Sequence, residues 1–304
     1  MLKILYAAII EARPKQWMKN LSLFGAAALM WHLYDPTVLV STTKAFLIFC
    51  MMSSGSYYLN DLVDANKDKH HPIKKNRPIA SGIFPRRLAI LVTIFLLCGS
   101  LILSKIQLGT TFTLIACFFV FLQILYSFYL KRIVLLDTMS LALFFVLRVF
   151  AGGVASHVSI SSWLFLTTVG LSLLLAFGKR QSEKTLMDAT PDKNQTRDTL
   201  DLYNIIFLGK VMTVSASICV ISYALFAFQS SPDIRLGFMP VMLGEVKLFM
   251  LSIPVVIYGV GRYIYVVSEK KEGEAPDRIL TSDFPLILTL TIWFILITAV
   301  NFLK

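Results

Sequence analysis

The chain has 304 residues, of which 56% are hydrophobic and 15% charged, and it carries a net charge of +11 at pH 7. Soluble domains are about a quarter charged, so this composition excludes an ordinary soluble domain. The basic residues lie in alternate polar segments between apolar runs, a distribution typical of membrane proteins and not of nucleic-acid-binding surfaces.

Apolar runs of about 20 residues, the length that crosses a bilayer, recur from one end of the chain to the other. They predict an all-α fold, a polytopic membrane helical bundle of nine transmembrane helices that forms a single domain over residues 1–304. The expected spans are 17–34, 42–60, 85–104, 109–129, 133–155, 161–178, 206–229, 243–267 and 284–303.

The Lys and Arg residues predict how the chain is oriented in the membrane. If the N-terminus lies in the cytoplasm, 23 of the 29 fall on the cytoplasmic side, five lie outside, and Arg148 lies within a span. This asymmetry is the positive-inside pattern. Two long polar segments, 61–84 and 179–205, are interpreted as cytoplasmic loops, and we expect the active site on that face.

The second span ends in an acidic motif, Asn60-Asp61-x-x-Asp64-x-x-x-Asp68. A basic run overlaps and follows it: Lys67, Lys69, His70, His71, Lys74, Lys75 and Arg77. Helix positions i, i+3 and i+7 lie on nearly one face, so the three carboxylates can converge on Mg²⁺, which prefers carboxylate oxygens together with substrate phosphates. The pattern predicts a diphosphate site with Asp61, Asp64 and Asp68 as catalytic residues and, with Asn60, as metal ligands. The alternative is a polar helix end whose aspartates are solvated or paired with Lys67 and Lys69.

Two further groups of charges stand at the fifth and sixth spans. Arg148 lies near the middle of the fifth span, where an arginine costs at least about 2.5–3.5 kcal/mol and usually faces a cavity or a partner. It is interpreted as a phosphate ligand or as an arginine paired with a carboxylate for structure. After the sixth span, Lys179 and Glu183 share a helix face, with Arg180 beside them. They predict a second phosphate clamp, with Glu183 near the metal or a substrate hydroxyl, or else an ordinary basic flank with an i, i+4 pair.

Lys19, Asn20, Tyr126 and Lys131 lie near the expected membrane surface. Aromatic and basic residues at that level are ordinary interfacial anchors, which is one interpretation of these segments. The other interpretation is that Lys19 and Asn20 enter the site from the first helix, while Tyr126 and Lys131 contact a lipid phosphate.

Together these motifs resemble the UbiA superfamily of intramembrane transferases, and the resemblance runs nearly end to end. It rests on the acidic motif after the second span, on the nine spans and on the polar loop after the sixth. Familiar members move a prenyl group from a prenyl diphosphate to an aromatic or other acceptor, and they bind the diphosphate through Mg²⁺ on two aspartate-rich motifs. At the second motif this chain has Lys179-x-x-x-Glu183 in place of Asp-x-x-x-Asp.

With that departure, the chain resembles one branch of the superfamily, the decaprenyl-phosphate phosphoribosyltransferases. The shared motifs are Arg13-Pro14-Lys15-Gln16-Trp17-x-Lys19-Asn20, His71-Pro72-x-Lys74-x-x-Arg77-Pro78-Ile79-Ala80-x-Gly82, Leu147-Arg148-x-x-Ala151-Gly152-Gly153 and Gly178-Lys179-Arg180. The resemblance implies transfer of 5-phosphoribose from phosphoribosyl pyrophosphate to a polyprenyl phosphate in a bacterial inner membrane, as a step of cell wall biosynthesis. It leaves open the prenyl chain length, the number of metal ions and the oligomeric state.

The charge of this donor suggests how the basic residues are used. Phosphoribosyl pyrophosphate carries a 5-phosphate besides its diphosphate, so its site needs more cations than a prenyl diphosphate site. Lys179, Arg180 and Arg148 would supply them, and Lys74 and Arg77 are further expected substrate ligands. Two alternatives remain: an aromatic prenyltransferase of the same fold, and a transporter or lipid carrier, in which charges would line both halves of the membrane.

Overall fold

A computed structural model describes residues 2–30, 32–69, 74–189, 200, 202–231, 233–234, 246–269, 279 and 282–302. The α-helices are α1 (Leu2–Ala12), α2 (Gly25–Leu29), α3 (Pro36–Asp68), α4 (Arg86–Phe128), α5 (Leu136–Ser156), α6 (Ser162–Ala189), α7 (Ile205–Ser230), α8 (Ile253–Glu269) and α9 (Phe284–Phe302). Two-residue strands, β1 (Asp233–Ile234) and β2 (Val246–Lys247), pair antiparallel. The helical prediction is confirmed, since apolar segments must satisfy their backbone hydrogen bonds internally in lipid. The chain divides into two compact units, Met1–Ser159 and Ile160–Lys304.

Six helical segments in the described part of the chain are long and apolar enough to cross a membrane. They are Pro36–Asp68, Arg86–Phe128, Leu136–Ser156, Ser162–Thr185, Ile205–Ser230 and Leu248–Glu269, and a shorter apolar helix covers Phe284–Val300. The spans expected at 85–104 and 109–129 lie in one helix, α4, which is broken at Gly109 with φ 81°. The first expected span, 17–34, consists of a 3-10 helix over Pro14–Phe24, the short α2 and a 3-10 turn over His32–Tyr34.

Helix α3 carries the acidic motif on its last turns. It starts behind Asp35, whose carboxylate accepts a hydrogen bond from the Thr37 amide at 2.8 Å, and Pro36 is its first residue. An aspartate cap followed by proline is a favourable helix start. The helix continues for 33 residues to Asp68, which confirms the helical placement of Asp61, Asp64 and Asp68, so the polar segment interpreted as a loop from residue 61 begins inside this helix. Helix α6 likewise extends to Ala189 instead of ending near 178, while 190–199 lie outside the described residues.

In the first unit, helices α3, α4 and α5 pack around an aromatic core. Phe49 meets Phe112 and Phe119 with ring centroids 5.9 and 5.0 Å apart. A Cβ on Gly152 of α5 would overlap the carbonyl group of Leu23. This glycine therefore lets the segment Pro14–Phe24 lie directly against α5.

In the second unit, α6 packs along α7, and Gly170 brings the two backbones together because a Cβ there would press on the Cys219 backbone. The Tyr223 hydroxyl lies 2.6 Å from the Ser252 hydroxyl and accepts a hydrogen bond from the Trp293 indole at 2.7 Å. These bonds connect α7 with the turn before α8 and with α9, where polar groups would otherwise lack partners in an apolar interior.

Large apolar side chains remain exposed along the helices, as Phe95, Ile106 and Leu114 of α4 illustrate. Exposed apolar surface of this extent marks contact with a membrane or a partner. Together with the long apolar helices, it indicates a multi-pass integral membrane protein.

Candidate functional site

Asp61 and Asp68 lie two turns apart at the end of α3 and share one arginine. The Arg77 guanidinium donates hydrogen bonds to Asp61 Oδ1 at 2.9 Å and to Asp68 Oδ2 at 2.7 Å. Arg13 donates to the other oxygen of Asp61, which is only 2% exposed. Charge-assisted bonds of this kind are stronger than those between neutral groups. Both oxygens of this buried carboxylate are therefore bound by arginines.

Asp64, one turn along α3 from Asp61, binds a lysine. The Lys131 ammonium donates to Asp64 Oδ1 and Oδ2 at 2.6 and 2.7 Å and to Asn60 Oδ1 at 3.1 Å. Lys131 belongs to a 3-10 turn, Leu130–Arg132, that follows α4, and it is 6% exposed. A buried ammonium needs such partners, since an unpaired charge is costly to bury. The turn thus brings a cation to the acidic motif.

Arg13 reaches Asp61 from an unusual backbone conformation. Its φ of 51° and ψ of 60° lie in the left-handed region, which costs a residue other than glycine roughly 1–2 kcal/mol. Its guanidinium also lies over the Tyr57 ring, 4.9 Å from the centroid. The ion pair and the ring contact together compensate for the backbone strain, and strain of this kind concentrates at functional sites.

A cavity of about 340 Å³ adjoins these ion pairs. It is lined by Ile10 and Glu11 of α1, by Arg13 and Asp61, and by residues 76–78. Glu11 is 1% exposed, and neither of its carboxyl oxygens receives a hydrogen bond from a donor among the described residues. Burial is the main reason that the pKa of Glu11 is raised to about 8, and the adjacent Asp61 carboxylate also raises it, against the effect of Arg13 and Arg77.

Asn20 and Arg148 bind each other in a second polar group of the first unit. Arg148 Nε donates to Asn20 Oδ1 at 2.7 Å, and its Nη1 donates to the Phe144 carbonyl at 2.9 Å. The guanidinium also lies 5.1 Å from the centroid of the Phe119 ring. Tyr126 packs edge to face on Phe144, with centroids 5.7 Å apart. The structure therefore brings together Asn20 and Arg148, while Tyr126 packs on Phe144, whose carbonyl accepts from Arg148.

Two other predicted ligands lie on short helical turns of the first unit. Lys19 is half-buried within Pro14–Phe24, one residue before Asn20. Lys74 is half-buried in the 3-10 turn Lys74–Asn76, directly before Arg77. His70 and His71 belong to the same basic run as Lys74, and both lie outside the described residues.

The predicted second clamp lies in the other unit, on α6. Glu183 accepts a hydrogen bond from Arg180 at 2.5 Å and lies 3.9 Å from the Lys179 ammonium. Arg180 is 1% exposed, whereas Lys179 and Glu183 are about one-third exposed. Gly178 admits the Tyr263 hydroxyl of α8, because a Cβ at that glycine would overlap it. The three predicted residues thus form one ion-pair group.

The oxygen ligands of the α3 motif suit Mg²⁺ by type, since Asp61, Asp64, Asp68 and Asn60 offer carboxylate and amide oxygens. Each of these carboxylates binds a protein cation here. The described residues contain no group of three His, Cys, Asp or Glu side chains arranged to hold a metal ion. Metal binding at this motif therefore requires arginine and lysine groups to move off the carboxylates, for example onto phosphate oxygens of a ligand.

Two residues beside the end of α3, Glu11 and Arg13, were not predicted as site residues from the sequence. Glu11 is the one acid on the apolar helix α1, and Arg13 opens the Arg-Pro-Lys-Gln-Trp motif, so both had a signal. The sequence does not indicate that α1 packs beside the end of α3. There the Tyr58 hydroxyl donates to the Ala8 carbonyl at 2.8 Å.

Comparison with known proteins matches residues 21–295 to the UbiA prenyltransferase family. The chain is 32% identical to the decaprenyl-phosphate phosphoribosyltransferase of Corynebacterium glutamicum over 297 residues, which cover 95% of this chain and 85% of that protein. It is 32% identical to the protein of the same name from Mycolicibacterium smegmatis, covering 91% and 89%. A solved structure of a UbiA homolog from Archaeoglobus fulgidus bound to GPP and Mg²⁺ superimposes with a TM-score of 0.73 at 19% identity, covering 97% of this chain and 99% of that one.

Proposed function

The chain belongs to the UbiA prenyltransferase family, and from that premise we propose that it transfers 5-phosphoribose from phosphoribosyl pyrophosphate to a polyprenyl phosphate and releases pyrophosphate. Relatives that resemble it along most of their length are named decaprenyl-phosphate phosphoribosyltransferases. The chain is accordingly a transferase, and the donor and the lipid are the proposed part. The transfer would be a step of cell wall biosynthesis.

The observation that carries the proposal is the alternation of acids and cations at the end of α3. Three carboxylates, Asp61, Asp64 and Asp68, are bound by the three cations Arg13, Arg77 and Lys131. A donor with a diphosphate and a further phosphate needs several cations, and planar guanidinium groups suit phosphate oxygens. In this proposal the same cations that now balance the aspartates would receive phosphate oxygens when the donor binds.

In this proposal Asp61 and Asp64, helped by Asn60 and Asp68, hold Mg²⁺, which when bound would neutralise the pyrophosphate leaving group. The solved structure of the UbiA homolog from Archaeoglobus fulgidus contains Mg²⁺, which supports a divalent metal in this fold. The residue types present suit that ion, as described for the α3 motif.

The chain's own residues would orient the reactants and stabilise charge. Arg77 and Lys131 would hold phosphate oxygens, and Lys179 and Arg180 stay phosphate ligands predicted from the sequence. The C1–O bond to pyrophosphate breaks with its electron pair, and an oxygen of the lipid phosphate forms the new bond to C1. Positive charge that develops on the ribose is stabilised by nearby carboxylates. Because the acceptor is already an anion, no strong general base is needed.

The proposed setting is a bacterial inner membrane, with nine spans in a single domain and with the N-terminus and the active site in the cytoplasm. The asymmetry of 23 basic residues against five supports this orientation. The polyprenyl tail would remain in lipid or in an apolar groove, while its phosphate reaches the end of α3. Lys19, Lys74, Arg148 and Tyr126 stay proposed substrate contacts.

A second candidate is a prenyltransferase that moves a prenyl group from prenyl diphosphate to an aromatic acceptor. It is favoured by the family to which the chain belongs and by the GPP-bound relative of the same fold. Lys179 opposes it, because familiar prenyl-transferring members carry an aspartate at this place of the second motif.

One assay tests the proposed function against this candidate. Purified protein in detergent is mixed with radiolabelled phosphoribosyl pyrophosphate, a polyprenyl monophosphate and Mg²⁺, and label is counted in the organic phase. We expect label that depends on Mg²⁺ and disappears with EDTA. No label across several chain lengths, together with turnover of a prenyl diphosphate, would replace the first candidate with the second.

A further inference from the structure

Glu11 is a buried acid of the first unit whose position the site described above does not explain. It is the only acid on α1, it is almost completely buried, and neither carboxyl oxygen receives a hydrogen bond from a described donor. Proteins rarely leave buried polar oxygens in this state, because burial without a hydrogen-bond donor is unfavourable. The packing of α1 therefore does not by itself explain why a carboxyl group is buried at this position.

The neighbouring guanidinium groups donate their hydrogen bonds to carboxylates other than Glu11. Arg13 donates to Asp61, and Arg77 donates to Asp61 and Asp68. Glu11 nevertheless lines the same cavity as both guanidinium groups. A donor for the Glu11 oxygens can therefore come from a molecule that occupies this cavity.

The lining of the cavity indicates the chemistry of that molecule. Arg13 and Arg77 suit a phosphate group, since guanidinium groups match phosphate oxygens. Glu11 suits a hydroxyl, which donates to a carboxyl oxygen. Ile10 and Pro78 offer apolar walls for a carbon skeleton. A volume of about 340 Å³ is within the range of small-ligand pockets. A phosphorylated sugar combines all three features.

We infer that this cavity binds the pentose 5-phosphate part of the donor, with Glu11 accepting hydrogen bonds from the ribose hydroxyls and with Arg13 and Arg77 facing the 5-phosphate. This inference rests on the proposed phosphoribosyl transfer and adds to it a substrate-binding residue, Glu11. A prenyl chain has no hydroxyl to offer, so Glu11 distinguishes a sugar donor from a prenyl donor. The selectivity follows because a ligand without hydroxyls leaves the buried carboxyl unsatisfied.

The test is equilibrium binding to the full chain in detergent, with EDTA present so that no metal contributes. The probes are ribose 5-phosphate, 2-deoxyribose 5-phosphate and inorganic phosphate. For the wild type we expect ribose 5-phosphate to bind about tenfold or more tightly than inorganic phosphate, the effect of hydrogen bonds to a buried carboxyl that otherwise lacks them. Glu11→Ala should remove this preference while inorganic phosphate binds as before.

Glu11→Gln is the second variant, because its amide oxygen still accepts a hydrogen bond and should retain part of the preference. Glu269→Gln, at an exposed carboxylate of α8, is the matched control and should bind all three probes like the wild type. Unchanged binding of inorganic phosphate shows that a variant is folded. In the wild type the 2-deoxy sugar should bind more weakly than ribose 5-phosphate, and this difference should disappear in Glu11→Ala.

The inference would be overturned by a wild type that binds ribose 5-phosphate no better than inorganic phosphate, or by a Glu11→Ala protein that keeps the full preference. If Glu11→Ala instead raises the KM for the polyprenyl phosphate alone, the cavity holds the acceptor phosphate and the inference is wrong. Each of these results is compatible with label transfer by the wild type, so the proposed function would stand. Absence of label transfer by the wild type would contradict the proposed function itself.

Discussion

At the residue scale, Asp61 connects the parts of the candidate site. Its oxygens bind Arg13 and Arg77, its carboxyl lies beside Glu11, and it is the first carboxylate of the α3 motif. A carboxylate that is bound on both oxygens is held in one orientation, which prepares a site for a charged ligand at little cost in side-chain entropy. Substitution of Asp61 is therefore expected to affect Arg13 and Arg77, which lose their partner.

Asp61→Ala is expected to abolish turnover, with label transfer reduced at least 100-fold, because the proposed metal loses a ligand and two arginines lose their partner. The measurement is the organic-phase label assay at saturating Mg²⁺. Asp188→Ala, at an exposed aspartate of α6 that pairs with Lys184, is the matched control and should keep its activity. Near-normal transfer by Asp61→Ala would rule out the metal assignment.

Arg77→Gln is expected to lower the thermal unfolding temperature, because Asp68 and one oxygen of Asp61 lose a charged partner. The loss should stay below the roughly 3–5 kcal/mol of a fully buried pair, since Arg77 is partly exposed and Arg13 remains. Thermal unfolding in detergent measures it. The exposed Arg87→Gln serves as control, and adding Asp68→Asn to Arg77→Gln should restore part of the stability. An unfolding temperature equal to that of Arg87→Gln would contradict this energetic role.

At the element scale, the short segments matter as much as the long helices. Helix α1 supplies Glu11 to the end of α3, the residue that caps the segment Pro14–Phe24 supplies Arg13, and the turn Leu130–Arg132 supplies Lys131. The long apolar helices provide a rigid frame, and polar side chains on the connecting segments complete the site, as is common for binding sites. Packing that positions these segments is therefore expected to affect function.

Gly152→Ala is expected to destabilise the protein, because the added Cβ overlaps the Leu23 carbonyl and separates α5 from the segment Pro14–Phe24. Overpacking of this kind costs typically about 1–3 kcal/mol. Thermal unfolding in detergent checks it, with Gly25→Ala as control, since a Cβ there meets nothing within 4 Å and its φ of −56° is helical. Equal unfolding temperatures for the two variants would show that the backbone contact is not required.

At the scale of the whole molecule, the basic residues and the apolar helices make one prediction about the membrane. Asp35 caps the start of the 33-residue helix α3, and the turn Lys74–Asn76 follows the end of this helix along the chain. The positive-inside pattern predicts that the turn Lys74–Asn76 lies in the cytoplasm and Asp35 outside. Lys75 and Asp35 are exposed and mark these two ends.

In intact cells, a membrane-impermeant maleimide should label Asp35→Cys and should not label Lys75→Cys. Permeabilised cells, in which both should react, are the control. The variants are made in a background without Cys50, Cys98, Cys117 and Cys219, two of which are exposed. Labelling of Lys75→Cys in intact cells would reverse the orientation and with it the cytoplasmic position of the proposed site.

Particular elements show how far the sequence leads. The acidic motif predicts Asp61, Asp64 and Asp68 on one helix end because spacing along a helix is a local property. The same spacing does not predict that Arg77 joins Asp61 to Asp68 or that Lys131 reaches Asp64. Lys131 is 67 residues from Asp64, and Arg148 is 128 residues from Asn20, so no local pattern connects them.

By itself, the sequence determined the all-helical membrane fold and the family, because apolar length, charge asymmetry and motif spacing are written along the chain. It also marked the acidic helix end as the place of interest. The tertiary structure alone decided which cations meet these carboxylates, that α1 contributes a buried carboxyl to the cavity, and that the first expected span is mostly 3-10 helix. These outcomes depend on contacts between distant segments, where packing and burial select the partners that spacing leaves open.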